Sequence, residues 1–283
     1  MSKKSLFQCP VCSKPLYRGI KQYYCRKKHQ FDIARRGYVN LLLPHHIGAG
    51  VPGDDREMVR SRRDFLNKGF YENFSDRLNE IILSDAPGAG ESGFNLLDAG
   101  CGEGYYIWRL SELVAASGGR EGVNLYGIDV SKPAIHYASG RGRSIYFAVA
   151  STYHTPVLSS CMDYILCIFA PKDEGQFRRI LKPEGKLVIA APGPRHLFSL
   201  RKELYEEPEL IGTRGTAGAG FKLINKVNVT YQIHLKDSVD IVNLLMMTPY
   251  WRHVDSQTVE KIGKKDELVT EVDINIKVYQ KVN

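Results

Sequence analysis

The 283-residue chain is 43% hydrophobic and 25% charged, the balance of an ordinary globular protein, and its net charge is +8. No apolar stretch approaches the ~20 residues of a bilayer-crossing helix, and no long apolar run stands behind the first lysines, so neither a membrane span nor a standard secretory signal is expected. The expected compartment is cytoplasmic, and the six cysteines are expected to stay out of disulfides.

The charge is one-ended. Residues 1–80 hold 16 Lys and Arg against 8 Asp and Glu, whereas residues 81–283 hold 23 of each sign. Such a surplus fits either a polyanionic partner docking on that end or a solvated basic surface.

Within the first 43 residues, Cys9, Cys12, Cys25 and His29 have the spacing C-x2-C-x12-C-x3-H. A CxxC turn sets two thiolates on one side of a tetrahedral ion, and a second pair one hairpin later closes the site. PLYRGIKQYY, between the pairs, reads as two strands turning about Gly19. Four protein ligands leave no open position, so the zinc predicted here is structural. Lys14, Arg18, Lys21, Arg26, Lys27, Lys28, Arg35 and Arg36 surround it, interleaved with Tyr17, Tyr23, Tyr24, Phe31 and Tyr38. Cations meet phosphates and aromatic faces stack on unpaired bases, while Phe31 and at least one tyrosine are expected to fill the small core. Residues 1–43 are therefore assigned as a zinc-binding, RNA-recognition domain.

Residues 44–80 read as linker and helical connection. PHHIGAGVPG (44–53) is turn-rich, with His45 and His46 expected to face solvent. A helical pattern follows. Asp54 and Asp55 are its capping candidates, and Met58, Phe65, Leu66, Leu78, Ile81 and Ile82 are its expected buried positions. Across residues 81–283, strands at 94–98, 124–129, 145–149, 163–169 and 186–191 alternate with helices. Two more β-like runs, 221–232 and 272–280, flank a helix containing VDIVNLLMM. The pattern predicts an α/β fold: a mostly parallel sheet with helices on both faces, closed by an antiparallel pair, seven strands in all.

DAGCGEGYY (98–106) joins the first of these strands to a helix. Gly100, Gly102 and Gly104 are spaced G-x-G-x-G, and Tyr105 stands where a dinucleotide fingerprint has its third glycine. Asp98 would repel a pyrophosphate and attract a cation, and S-adenosylmethionine carries a sulfonium and an ammonium group. Asp129 ends the next strand and is able to accept from both ribose hydroxyls, a feature shared with NAD enzymes. Ser151 follows the third strand closely enough to approach the adenine. The absence of GKS or GKT excludes a phosphate loop, and Cys101 is most simply a small residue in the turn. The predicted cofactor residues are thus Asp98, Gly100, Gly102, Gly104, Tyr105, Asp129 and Ser151. Phe169, Ala170 and Pro171 stand where methylases of exocyclic amines carry Asn or Asp and two prolines, which counts against such an acceptor. Arg195 and His196, in PGPRHL, suit a phosphate or a base, or equally a helix cap.

Together these stretches resemble the bacterial 23S ribosomal RNA guanine-N1 methyltransferases. The matching segments are CPVC with CRKKHQFDIARRGYVNLL, DAGCGEGYY, IDVSK, APGPRHL and MTP, spread over residues 7–249. The resemblance implies a Rossmann-like class I methyltransferase domain joined to a small N-terminal zinc-binding domain. It implies S-adenosylmethionine-dependent methylation of N1 of one guanine in a hairpin loop of 23S rRNA, and it allows a homodimer. It implies zinc on Cys9, Cys12, Cys25 and His29, and a cofactor lined by Asp98, Gly100, Gly102, Asp129 and Ser151. APGPRHL is nearer the subgroup typified in Gram-negative bacteria. MTPYWRH is one residue shorter than the family pattern, so no role is carried onto Tyr250, Trp251 or Arg252. Guanine N1 carries a proton, yet the catalytic base is not identified. Glu103 and His196 are candidates by chemistry alone, each with a plainer role in orienting the loop or capping a turn. The rival readings are a small-molecule methyltransferase and a non-catalytic zinc-containing RNA-binding protein.

Overall fold

The computed structural model describes residues 3–46, 53–86, 93–118, 122–212 and 215–282. Four short strands come first: β1 (Lys3–Gln8), β2 (Pro15–Arg18), β3 (Gln22–Tyr24) and β4 (Gln30–Asp32), an antiparallel sheet in that order. β2 and β3 form the expected hairpin about Gly19, whose N–H donates to the Gln22 carbonyl at 2.8 Å. β5 (Val39–Asn40) leads toward α1 (Arg56–Asn67) and α2 (Glu72–Asp85). Asp55 is the α1 cap, accepting from the Glu57 and Met58 N–H groups, while Asp54 pairs with Arg62. All six expected helix positions, Met58 through Ile82, are buried. His45 is exposed; the side chain of His46 and residues 47–52 lie outside the described residues.

The remaining elements are β6 (Asn95–Ala99), α3 (Tyr105–Ala116), β7 (Asn124–Asp129), α4 (Lys132–Ala138), β8 (Ile145–Val149), β9 (Met162–Ile168), α5 (Glu174–Ile180), β10 (Leu181–Pro192), α6 (Phe198–Leu204), β11 (Phe221–Leu235), α7 (Ser238–Met246), α8 (Ser256–Gly263) and β12 (Leu268–Lys281). They build one sheet of order β11-β12-β10-β9-β6-β7-β8-β5. β5 through β10 run parallel, and β12 is antiparallel to both β10 and β11. Strand order reverses at β6, which has β7 on one side and β9 on the other. A crevice therefore opens beyond its carboxyl end, where open α/β sheets bind ligands.

The sheet has eight strands where seven are expected. The extra one is β5, with Val39 beside Ala148 and Asn40 beside Val149. Two residues are too few to show alternation, and they lie in the segment read as zinc domain. Side chains alternate along the central strands. Leu96, Leu125, Phe147, Leu166 and Val188 join one apolar cluster, which draws on α1 to α4 and α6 to α8; Leu97, Tyr126, Ala148, Ile165 and Leu187 join the other.

Helices are expected on both faces, but the second cluster takes its cover from α5 and from the N-terminal module. The reason is local. The segment between β8 and β9 carries no helix among the described residues and pairs instead with β1. Phe7 bridges to Val157, the Gln8 N–H donates to the Pro156 carbonyl at 2.9 Å, and the Leu158 N–H donates to the Leu6 carbonyl at 2.9 Å. Phe7 is fully buried with its ring edge-on to Tyr126 at 5.1 Å. Burying one such side chain contributes about 1.5–3 kcal/mol. Leu16 and Tyr23 follow it into the same core.

Candidate active site and metal centre

Cys9, Cys12, Cys25 and His29 converge, their ligand atoms all within 4.8 Å of one another. The turn after Cys9 is closed by the Ser13 N–H donating to the Cys9 carbonyl at 2.8 Å. The second half-site is closed by Lys28 N–H to the Cys25 carbonyl at 2.9 Å. The His29 Nδ1 lies 3.4 Å from the sulfurs of both Cys9 and Cys25, and the Cys12 and Cys25 sulfurs are 3.7 Å apart. Zinc bonds of about 2.3 Å to sulfur and 2.0 Å to nitrogen, at tetrahedral angles, put sulfurs about 3.8 Å apart and sulfur about 3.5 Å from nitrogen. The donor set therefore fits a closed, structural zinc.

The second centre is the bend after β6. Gly100 has φ +83°, and a Cβ there would come within 2.4 Å of the Ala170 Cβ; Gly104 also has φ +83°, and its Cβ would meet the Ala138 Cβ at 2.9 Å. Both positions thus require glycine on two counts. The bend is tied down by the Gly100 and Cys101 N–H groups, which donate to the Ile128 carbonyl at 2.8 and 2.9 Å.

Asp98 sits at the mouth of this bend, 1% exposed, and neither carboxylate oxygen has a hydrogen-bond partner. Burial first, and the Asp129 charge second, push its carboxyl up to about 8. A buried carboxylate left without donors is costly unless a cation arrives. Asp129 differs: one oxygen accepts from the Gly102 N–H at 2.9 Å and the other from the Ser131 N–H at 2.8 Å. Burial still raises its carboxyl, against the pull of those two amides. The nearby thiols are held protonated: burial pushes Cys167 up to about 12 and Cys101 well above its ordinary value. Cys101 is thus a poor nucleophile.

Ser151 accepts from the Tyr153 N–H at 3.1 Å in the turn just past β8, and the Ala150 N–H donates to the Asp129 carbonyl at 2.9 Å. Asp98, Gly100, Gly102, Asp129 and Ser151 thus share the carboxyl ends of β6, β7 and β8. Tyr105 is 4% exposed, with Arg141 at 5.4 Å from its ring centroid and its hydroxyl accepting from Arg109 at 3.3 Å. Its side chain is committed to the protein, leaving its backbone at the start of α3 beside the bend.

Glu103 and His196 are both occupied. The Arg141 guanidinium grips both Glu103 oxygens, at 2.6 and 2.7 Å, and Arg63 adds a contact at 3.2 Å. Burial raises the Glu103 carboxyl, opposed by Arg141. With both oxygens held, Glu103 orients the bend against α1 and the segment after α4. His196 is 7% exposed, its Nδ1 accepting from the Asp273 N–H at 3.2 Å and its Nε2 3.3 Å from the Tyr71 hydroxyl. Burial pushes its pKa down to about 4, so it is neutral near pH 7 with both nitrogens engaged. Neither residue is a free base in this arrangement. Arg195 lies over the Phe198 ring at 5.2 Å.

The sequence reading misses the arginines around the bend. Arg62 lies 3.7 Å from where a Gly102 Cβ would be, and Arg63 and Arg141 clamp Glu103. The cluster SRRDF is visible as charge on a helix, but nothing in it names Glu103 as its partner.

Residues 7–46 match a zinc-ribbon model described as the N-terminal part of RlmA, and residues 90–242 match a methyltransferase domain model. The chain is 31% identical to "Putative 23S rRNA (guanine-N(1)-)-methyltransferase YxjB" of Bacillus subtilis (strain 168), over 96% of both chains. It is 34% identical to a 23S rRNA (guanine(748)-N(1))-methyltransferase of Streptomyces fradiae, over 68% of this chain and 65% of that one.

Proposed function

We infer the reaction from the premise that this chain belongs to the 23S rRNA (guanine-N1)-methyltransferase family: it is an S-adenosylmethionine-dependent enzyme that methylates N1 of a guanine in 23S ribosomal RNA. The domain has the class I methyltransferase strand order with one added edge strand. The observation that carries the reading is the orphaned Asp98 carboxyl at the Gly bend, whose ionised form a ligand with a cationic end would stabilise. A vestigial fold would have no reason to keep so costly a group.

The cofactor supplies an electrophilic methyl group on a sulfonium. Asp98 would offer the negative charge for its cationic end, Asp129 would accept from the ribose hydroxyls, and Ser151 would approach the adenine. Glu103, held by Arg141 and Arg63, keeps the bend rigid. The residues contribute chiefly alignment, which replaces a bimolecular encounter with an oriented one. Guanine N1 is engaged in Watson–Crick pairing in a duplex, so the target is unpaired or extruded, at a cost of a few kcal/mol that is least in a loop. That favours a hairpin loop as the substrate. The cations of the zinc module would hold its backbone, and the pocket would select the base. An rRNA substrate supports a cytoplasmic location; separately, no helix among the described residues is long and apolar enough to cross a membrane.

Primer extension on 23S rRNA tests the assignment, because methylation at N1 blocks pairing and stops the polymerase. Deleting the gene should remove one stop, and the position of that stop identifies the guanine among its neighbours. An unchanged stop pattern would overturn the reading. Light scattering of the purified protein, reading one or two chains per particle, tests the homodimer.

A further inference from the structure

The loop after β9 holds a feature that neither the zinc site nor the cofactor residues use. Phe169 is 41% exposed although it is a large apolar ring. Its backbone is left-handed, φ +52°, a conformation that suits glycine or asparagine and strains a bulky side chain. Folding alone would favour a small or polar residue at such a position.

The surroundings hold the strained residue in place. The Phe169 N–H donates to the Ala190 carbonyl at 3.0 Å. The next residue, Ala170, is the one that closes on Gly100, so Phe169 adjoins in sequence the residue packed on the Gly bend. Behind it, the His196 imidazole lies within 20° of parallel at a centroid distance of 5.9 Å, and buried Phe74 supports it at 5.8 Å. His196 is itself fixed at both nitrogens, by Tyr71 and by the Asp273 amide. The result is an aromatic ring braced by His196 and Phe74 and still 41% exposed to solvent.

We propose that Phe169 is a stacking subsite for an unpaired purine base: its exposed surface receives the target guanine, with His196 and Phe74 bracing the ring beside the methyl donor. Strained residues of this kind persist where function uses them. Stacking is tolerant of base identity, so Phe169 would set the height and plane of the base, leaving its edge to be read by other groups. His196 then acts as a positioning residue. The inference rests on the reading of guanine in RNA as the acceptor.

The test compares Phe169→Leu with Phe169→Tyr in the full-length, zinc-loaded protein. Leucine keeps apolar bulk and removes the π face; tyrosine keeps the face. Single-turnover methyl transfer to a 23S hairpin transcript at saturating S-adenosylmethionine should fall by about tenfold to a hundredfold in Phe169→Leu, and by no more than about twofold in Phe169→Tyr. Calorimetric affinity for S-adenosylmethionine should be unchanged in both. Full activity in Phe169→Leu, or equal loss in both variants with cofactor affinity also lost, would overturn the subsite. A second readout separates the subsite from the wider assignment: saturation-transfer NMR with guanosine monophosphate in the presence of S-adenosylhomocysteine. Transfer to the base in wild type and its loss in Phe169→Leu support the subsite even if the wild type methylates no rRNA. Transfer that persists in Phe169→Leu, or is absent from wild type, overturns it.

Discussion

Asp98 should make cofactor binding depend on pH, and the size of the effect follows from its surroundings. Its carboxyl is pushed up to about 8 in the free protein. At pH 7 only about a tenth of the molecules then carry the charge that a sulfonium and ammonium ligand requires. Binding should therefore release close to one proton per ligand at pH 7, and Kd should fall by about tenfold between pH 6 and pH 7. The Cys101 and Cys167 thiols facing Asp98 do not supply this step, since burial holds both protonated; the other facing group is Asp129, whose carboxyl burial also raises, and the Asp98→Asn variant separates the two. The ligand's own amine titrates near 7.7–8.0 by the usual α-amino value, so the window is read from about pH 6 to 7.5. Titration calorimetry in two buffers of different ionisation enthalpy counts the protons. Asp98→Asn should remove both the release and the pH slope, along with most of the affinity. Stability supplies a second sign. The folded chain keeps a proton that the unfolded chain loses above about pH 4. Wild-type stability in the absence of ligand should therefore decline by up to about 1.4 kcal/mol per unit as pH climbs from about 4 to about 8, and then level. Asp98→Asn should lack that decline and melt higher than wild type at pH 8. A Kd that is flat from pH 6 to 7.5 with no proton released would refute the account.

Three further outcomes follow from the same geometry. Glu103→Gln leaves the Arg141 guanidinium, whose side chain is 4% exposed, without its anion; a loss of about 3–5 kcal/mol, or about 10 °C in Tm, is expected by calorimetry, and an unchanged melt would show the clamp to be idle. Cys12→Ser should lower the zinc content below one ion per chain and reduce the Tm of the whole protein in a single transition, because Phe7, Leu16 and Tyr23 belong to the sheet's second core; a methyltransferase domain melting at its original temperature would contradict this. Lys21→Gln and Lys27→Gln, at exposed positions of the zinc module, should each reduce the slope of log affinity for RNA against log salt by about one while leaving cofactor affinity alone, and slopes equal to wild type would place the RNA elsewhere.

Much of this molecule is legible in its sequence where the physics is local. Zinc ligation depends on the reach of a CxxC turn and one hairpin, so spacing alone brings Cys9, Cys12, Cys25 and His29 together. The central strands announce themselves as apolar runs because both sheet faces are covered. Boundaries fail at the far end of the last hairpin. β11 runs on to Leu235 and β12 begins at Leu268, each beyond the predicted run, and the added pairs carry Ile233, Leu235 and Leu268 into the core, where His234, Thr270 and Glu271 interrupt the apolar signal. β10 starts at Leu181 and not near 186 because a register shift carries the KPEG turn within the strand. The site is less legible than the fold. Glu103 meets Arg63 and Arg141 across 40 and 38 residues of sequence, and no spacing rule joins them. Asp98 is visible as a residue, but its lack of partners is a property of packing. Phe169 reads as a departure from a motif, whereas its exposure and left-handed backbone exist only in three dimensions.

The placement of the zinc module bears on how a site built for alignment reaches a base inside a large RNA. A module on a flexible tether would deliver RNA to the neighbourhood of the crevice without fixing the reacting atom. Methyl transfer needs its two centres within about 3–3.5 Å and in line, and an error of about 1 Å costs on the order of a hundredfold in rate. Here the module is no appendage. β1 pairs with residues 156–158, a few positions after Ser151, and β5 is hydrogen-bonded to the strand that ends at Val149. The same short stretch of chain thus touches the adenine side of the proposed cofactor site and anchors the basic surface proposed to grip the RNA. Any motion of one relative to the other would have to break strand pairing and expose Phe7. A metal on these ligands would accordingly do more than fold a small domain: by holding the module against one face of the sheet, it would fix the distance between the surface proposed to hold the RNA backbone and the crevice proposed to hold its base.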